Sequence, residues 1–413
     1  MGFVAGDIEL KSILLKSSDG CREYDLSAQA KMINLYESIL SPTIYAEINI
    51  FDGIGLFNSF PIIGEEYVEL EFNTPNTSCS SKYELFIDEI SDKVVGDTNR
   101  SETYTLKCVS REVIKNAGIL YSKKYKKEID SIVKDLFDQV KETKELLYVE
   151  PTKGIEEVLV NRMPPFKAID MVRRRAVSKS YLSSSFLFFE TAKGYFFSTI
   201  EGLFARNRDG IGDKVFFFDK QPNIDASTVN IRNILAYQHV SAGSTVSKIQ
   251  NGAFTNVVNR LDFITGKYTS IPYTINSSND KFQTADGTGQ PGLNTAGFIT
   301  KRNKQEALVS LVPFSSEKND TQLAEKMAIL PSFIELISSD LVRIHIYGDS
   351  AILAGDVIEC NFPEVTGLTK DPALNRLKSG KYMIATLRHM INLGDRHSHT
   401  ISLELIKGNY LES

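Results

Sequence analysis

The chain contains no tryptophan. That weighs against a carbohydrate-binding module, which stacks sugars on aromatic side chains exposed along one sheet face. Cysteine is scarce: the four residues Cys21, Cys79, Cys108 and Cys360 are scattered without a CxxC pair. They read as small buried hydrophobes of a reducing cell, not as disulfides or metal ligands. No apolar run approaches the ~20 residues needed to span a bilayer. A basic-then-apolar leader is also missing, so nothing marks the chain for general secretion. Met1-Gly2 opens a myristoylation pattern, but Gly6 stands where Ser or Thr is required. Basic charge is not in excess: a net charge of −5 and a pI near 5.7 argue against a dedicated nucleic-acid-binding surface. GxSxG, HExxH and P-loop fingerprints do not occur.

What the chain does have is alternation. With 413 residues, 42% hydrophobic and 24% charged, it is long enough for several domains and ordinary for a folded protein. From Ile8 to Val109 the pattern is β: Ile44, Ala46, Ile48 and Ile50 alternate with polar neighbours, as do Val68, Leu70 and Phe72, and Tyr104, Leu106 and Cys108. The end repeats the theme. Leu341 to Phe362 and Ser379 to Leu411 divide into four short strands, with Gly348, Asp349, Gly355 and Gly394 at the turns.

Between these β regions the period changes. Tyr125, Ile129, Ile132, Val133, Leu136, Phe137 and Val140 fall at helical spacing. A second helix is expected from Pro164-Pro165, because proline is tolerated in a first turn, and would carry Ile169, Val172 and Val177. FLFFETAKGYFFST, Phe186 to Thr199, reads as an aromatic hairpin around Gly194, with Phe186, Phe188, Phe189, Tyr195, Phe196 and Phe197 packing the core of this insert. Alternation resumes at Val215 and includes Asn233 to Gly243, Val246 to Gln250, Gly252 to Asn259 and Lys267 to Ile275. Asn276 to Asp320 is a polar stretch expected to form a long arm, and a short helix is expected from Thr321 to Leu336.

Candidate chemistry is thin. His397 and His399 lie two apart, on one face if they share a strand, with Asp395 close by, a spacing that suits a metal; without a third strong ligand they read as solvated or hydrogen-bonded. Asp209, Gly210, Gly212 and Asp213 resemble a calcium loop but lack its spaced carboxylates, and read as a turn. Glu69 and Glu71 share a strand face as a glycosidase pair could, yet no facing acid is identifiable and an outward face is their usual home. Arg173, Arg174, Arg175 and Lys179 are placed on the second helix as a solvated or subunit-facing surface. No catalytic, cofactor-binding or metal residue is therefore assigned.

In this order and spacing, the hairpin FLFFETAKGYFFSTIEGLF (Phe186 to Phe204), the segment GAFTNVVNRLDFITGKYT (Gly252 to Thr269) and the terminal GDSAILAGDVIECNF with SGKYMIATLRH resemble the baseplate hub protein of contractile-tailed bacteriophages. They are similar also to the hub half of type VI secretion spikes. The resemblance implies a mainly β fold with an α+β insert. Residues 1–115 would be a first antiparallel β-barrel, 116–215 the α/β insert, 216–262 with 337–413 a split second barrel like the first, and 263–336 an extended arm and helix connector. It further implies a non-enzymatic homotrimer whose six barrels form a ring. That ring would adapt a sixfold tail tube to a threefold central spike carried on a separate polypeptide, contact baseplate wedge proteins, and pass DNA through its lumen without specific binding. Assembly in the host cytoplasm and residence in the virion tail follow from the same resemblance. A tail-associated cell-wall hydrolase, or a carbohydrate-binding β module, is the alternative.

Overall fold

The computed structural model describes residues 5–56, 60, 62–75, 80–96, 101–181, 183–207, 214–218, 231–241, 246, 250–251, 255–262, 266–274, 309–314, 330, 341–364, 374–375, 378–394 and 397–407. The fold is mainly β with a small helical insert, as the sequence leads one to expect. The first alternating stretches become β1 (Glu9–Lys16), β2 (Glu23–Asp25), β3 (Ala30–Ser38), β4 (Tyr45–Asp52), β5 (Tyr67–Asn73), β6 (Ser80–Val95) and β7 (Glu102–Ser110). They pair antiparallel in the order β3-β4-β7-β6-β5-β1-β2. In β5 Val68, Leu70 and Phe72 point inward and Glu69 and Glu71 outward, the period-2 rule at work. Ile13, Leu35, Ile48, Leu70, Leu85 and Leu106, one from each of six strands, share a single contiguous core, so the sheet curls around it.

The insert consists of α1 (Arg111–Gly118), β8 (Tyr121–Lys127), α2 (Ile129–Phe137), β9 (Leu146–Val149), β10 (Glu156–Met163), α3 (Pro165–Arg173), β11 (Phe186–Thr191), β12 (Gly194–Thr199) and α4 (Ile200–Asn207). Tyr125, expected in a helix, lies instead in a strand opposite Val158 of β10. The true helix α2 starts at Ile129 and buries Ile129, Ile132, Val133, Leu136 and Phe137. The helical period was real there, and a long-range strand partner captured the residues before it. Pro165 is the first residue of α3, as its fixed φ and missing N–H favour. The helix ends at Arg173, so Val177 lies beyond it.

The remaining strands are β13 (Val215–Phe217), β14 (Ile234–Ser241), β15 (Thr255–Asp262), β16 (Tyr268–Thr274), β17 (Val309–Phe314), β18 (Leu341–Tyr347), β19 (Val357–Asn361), β20 (Gly380–Asn392) and β21 (Ser398–Lys407). The order β14-β18-β21-β20 continues through β19, on β20, to β13, on β19. Phe217 of β13 bridges to Asn233, just before β14, and its N–H donates to the Arg232 carbonyl at 3.1 Å. This half thereby closes on itself around a second core. Strand β15, expected in this barrel, pairs with β16 and β17 in a separate three-stranded sheet, and β17 falls inside the stretch expected to be an arm. Val246 and Gln250, expected in a strand, are helical. The rest of the arm, and the helix expected from Thr321 to Leu336 apart from the helical Leu330, lie outside the described residues.

One strand joins the two halves. β20 pairs along its length with β21; its other edge takes β19 at Gly380 to Met383 and then β3 at Thr386 to Asn392. Its inward side chains change cores with the partner: Met383 and Leu387 face the second core, Ile391 the first. The result is a continuous 13-stranded sheet. No helix among the described residues is long and apolar enough to cross a membrane.

Candidate functional site

The hairpin β11–β12 is buried on both faces. Alternation divides its aromatics between two cores. Phe186, Phe188, Tyr195 and Phe197 enter the insert core, with ring centroids 4.7 Å apart for Phe186–Phe197 and 5.6 Å for Phe188–Tyr195. Leu187, Phe189 and Phe196 enter the second-half core, the two phenylalanine rings stacked at 5.5 Å. The expectation that the whole cluster packs the insert therefore holds for four of its six aromatics; strand geometry sends the other two through to the neighbouring core.

Buried carboxyls fasten the hairpin to its surroundings. Glu190 of β11 accepts from the Ile44 N–H (3.0 Å) and the Ser110 hydroxyl (2.6 Å), both in the first half, and pairs with Lys144 at 2.7 Å. Glu37 of β3 accepts from the Ala192 N–H at the hairpin turn (2.8 Å) and the Ala354 N–H of the second half (3.2 Å), with the Tyr83 hydroxyl at 3.5 Å. One side chain thus ties all three parts together. Burial pushes the Glu37 carboxyl up to about 7, although the two N–H donors and Lys144 pull the other way. Inside the insert, Glu150 gathers Ser178, Ser198 and Thr199 around its carboxylate. Buried and held by these donors, the three carboxyls act as structural pins.

The residues singled out from sequence are not brought together. Glu69 and Glu71 lie outward and are ion-paired with Lys16 and Lys11, each at 3.0 Å. His397 is exposed, whereas His399 is fully buried and hydrogen-bonded at 3.0 Å to His389, which the sequence reading passed over. The overlooked signal was a polar residue at an inward position of an alternating strand, Leu387-x-His389-x-Ile391. Asp395 lies outside the described residues, as do Asp209, Gly210, Gly212, Asp213 and Cys79. Cys108 and Cys360 are buried thiols and Cys21 is an exposed one. Of the basic run only Arg173 is helical; it bonds Asp170 and the Phe186 carbonyl, Arg174 also reaches Asp170, and Arg175 and Lys179 face solvent. No group of three or more potential metal ligands exists among the described residues.

The surface is polarised by charge. Residues 1–110 carry eight Lys and Arg against eighteen Asp and Glu, a net of −10, while residues 111–207 carry eighteen against thirteen, a net of +5. Four of those thirteen, Glu112, Glu150, Glu190 and Glu201, are buried, so the insert's exterior is more basic still. Lys126, Lys134, Lys153, Lys167, Arg175 and Lys179 are exposed there and form no ion pair with a described residue.

No protein-family model matches the sequence, and no curated protein does. Solved structures do match. A tail protein from Neisseria meningitidis MC58 superimposes with a TM-score of 0.56 at 10% identity, covering 96% of this chain and 96% of that one. The 43 kDa tail protein of prophage MuSo2 from Shewanella oneidensis gives 0.55 at 8% identity over 96% and 98% of the two chains. The likeness is one of fold, and it runs through nearly the whole chain: the architecture is that of these two tail proteins.

Proposed function

We propose that the chain is a structural tail protein, the baseplate hub of a contractile tail, acting without enzymatic chemistry. The observation that carries this reading is the fold shared with two tail proteins over almost the full length of each chain. Three copies form a ring in which the first half (1–115) and the split second half of each subunit serve as its barrels, and the insert (116–215) engages the neighbouring proteins. Such a ring adapts a sixfold tube to a threefold spike and leaves a lumen for DNA. The spike, tube and wedge proteins are its partners, and the virion tail is its location.

The physical features suit this role. Head-to-tail contacts close a ring when unlike surfaces meet at each interface, and the chain carries an acidic first half and a basic insert. Leu40, Ile63 and Leu159 are each more than half exposed, the kind of apolar side chain an interface covers. The hydrolase alternative loses its candidate acids, since Glu69 and Glu71 are held by lysines on an outer face. Electron-microscope class averages of the purified protein mixed with its spike test the proposal. Threefold rings are the expected result, and single unringed particles the result against it.

A further inference from the structure

On the strand pair β20–β21, which runs through both halves, His389 and His399 occupy the position where one core stops and the other starts. Leu387 and Ile401 lie on the second-core side and Ile391 on the first-core side. Both imidazoles are buried, and Nδ1 of His389 lies 3.0 Å from Nε2 of His399. Phe72 of the first half sets its ring edge-on to both, at 5.9 Å and 5.5 Å. Backbone encloses the far side: the His399 N–H donates to the Gly6 carbonyl at 2.8 Å, and its carbonyl accepts from the Gly348 N–H at 2.9 Å. With both rings neutral, one of the two facing nitrogens donates to the other, and Nδ1 of His399 has no hydrogen-bond partner among the described residues.

We propose that the His389–His399 pair is a proton-sensitive pin between the two halves of the molecule: neutral, it seals one core against the other, and protonated, it lets them part along the β3–β20 seam. The reason is the absence of compensation. Neither ring is hydrogen-bonded to a carboxylate among the described residues. Of the charged groups on the elements packed around the pair, Asp349, after β18, is held by Arg232 at 2.9 Å; Glu37 on β3 is engaged with Ala192 and Ala354; and Asp7 follows Gly6 on the N-terminal segment. β5 presents the uncharged Phe72 ring. A second proton therefore puts an unpaired charge between two apolar cores, where it is strongly disfavoured. Burial accordingly holds His389 down to about 4, and burial together with the neighbouring ring holds His399 well below the ordinary imidazole value.

Hydrogen exchange of the full chain between about pH 7 and about pH 4.5, corrected for intrinsic rates, tests this. Amides of the seam, at Leu35, His389 and Ile391, are expected to open about tenfold more readily at the acid end, while β4–β7 amides within the first half change far less. His389→Asn, whose amide oxygen replaces Nδ1 and does not titrate, is expected to reduce that seam-specific change, leaving the part that His399 contributes. Equal acceleration in the variant, or a uniform acceleration over all strands in the wild type, overturns the proposal. Should the variant fail to fold, ring-proton NMR of the wild type decides. Buried rings that stay neutral until the seam opens support the pin, and rings that titrate near pH ~6.5 with the seam closed overturn it.

Discussion

At the scale of single residues, Glu37 carries the clearest pH signature. Its folded carboxyl stands near 7, above its unfolded value, so it contributes stability below the unfolded value and loses it as pH rises through about 7. Between pH ~5 and pH ~8 that loss is of the order of 2 kcal/mol. The buried histidines act oppositely on the acid side, so the comparison with Glu37→Gln isolates the effect. Urea midpoints of the wild type should fall relative to those of the variant as pH rises over that range, and parallel pH profiles would contradict the assignment. Gly348 offers a steric counterpart: a Cβ there overlaps the His399 ring, so Gly348→Ala should cost about 1–3 kcal/mol in urea denaturation. Little of this was legible in the sequence. Glu37 and Glu190 sit in stretches that read correctly as strands, but their donors, Ala354, Ala192, Ile44 and Ser110, come from positions far along the chain that no local pattern links. His399 was noticed for the wrong neighbour, His397, because spacing along the chain was visible and the register against β20 was not.

At the scale of elements, the hairpin β11–β12 is the keystone, since successive side chains serve different cores. Phe188→Ala should loosen the insert, raising hydrogen exchange in α2 and α3, whereas Phe189→Ala should raise it in β19 and β20. Each should cost about 3–5 kcal/mol, the usual range for removing a buried phenyl ring. Identical exchange patterns for the two variants would refute the division of faces. The hairpin itself was readable from its period and from Gly194, as were the strands of the first half and the start of α3 at Pro165. Elements whose identity depends on a distant partner were not. YSKKYKK becomes β8 because β10 pairs with it, and β15 leaves the second barrel because β17, more than forty residues later, offers it a parallel edge.

At the scale of the whole molecule, β20 joins two cores into one sheet and the hairpin fastens the insert beside them. The charge contrast between residues 1–110 and 111–207 makes the proposed ring contact salt-sensitive, because opposed exposed charges are screened within about 10 Å at 0.1 M salt. Reversing Lys153, Arg175 and Lys179 together to glutamate should weaken assembly while leaving the melting of the single chain nearly unchanged, and trimers of undiminished strength would rule out a contribution from that face. The most direct test is the mass of the purified chain by light scattering over a range of concentrations. The account predicts about three times 46.2 kDa; a mass of one chain at every concentration, with or without the spike, contradicts it.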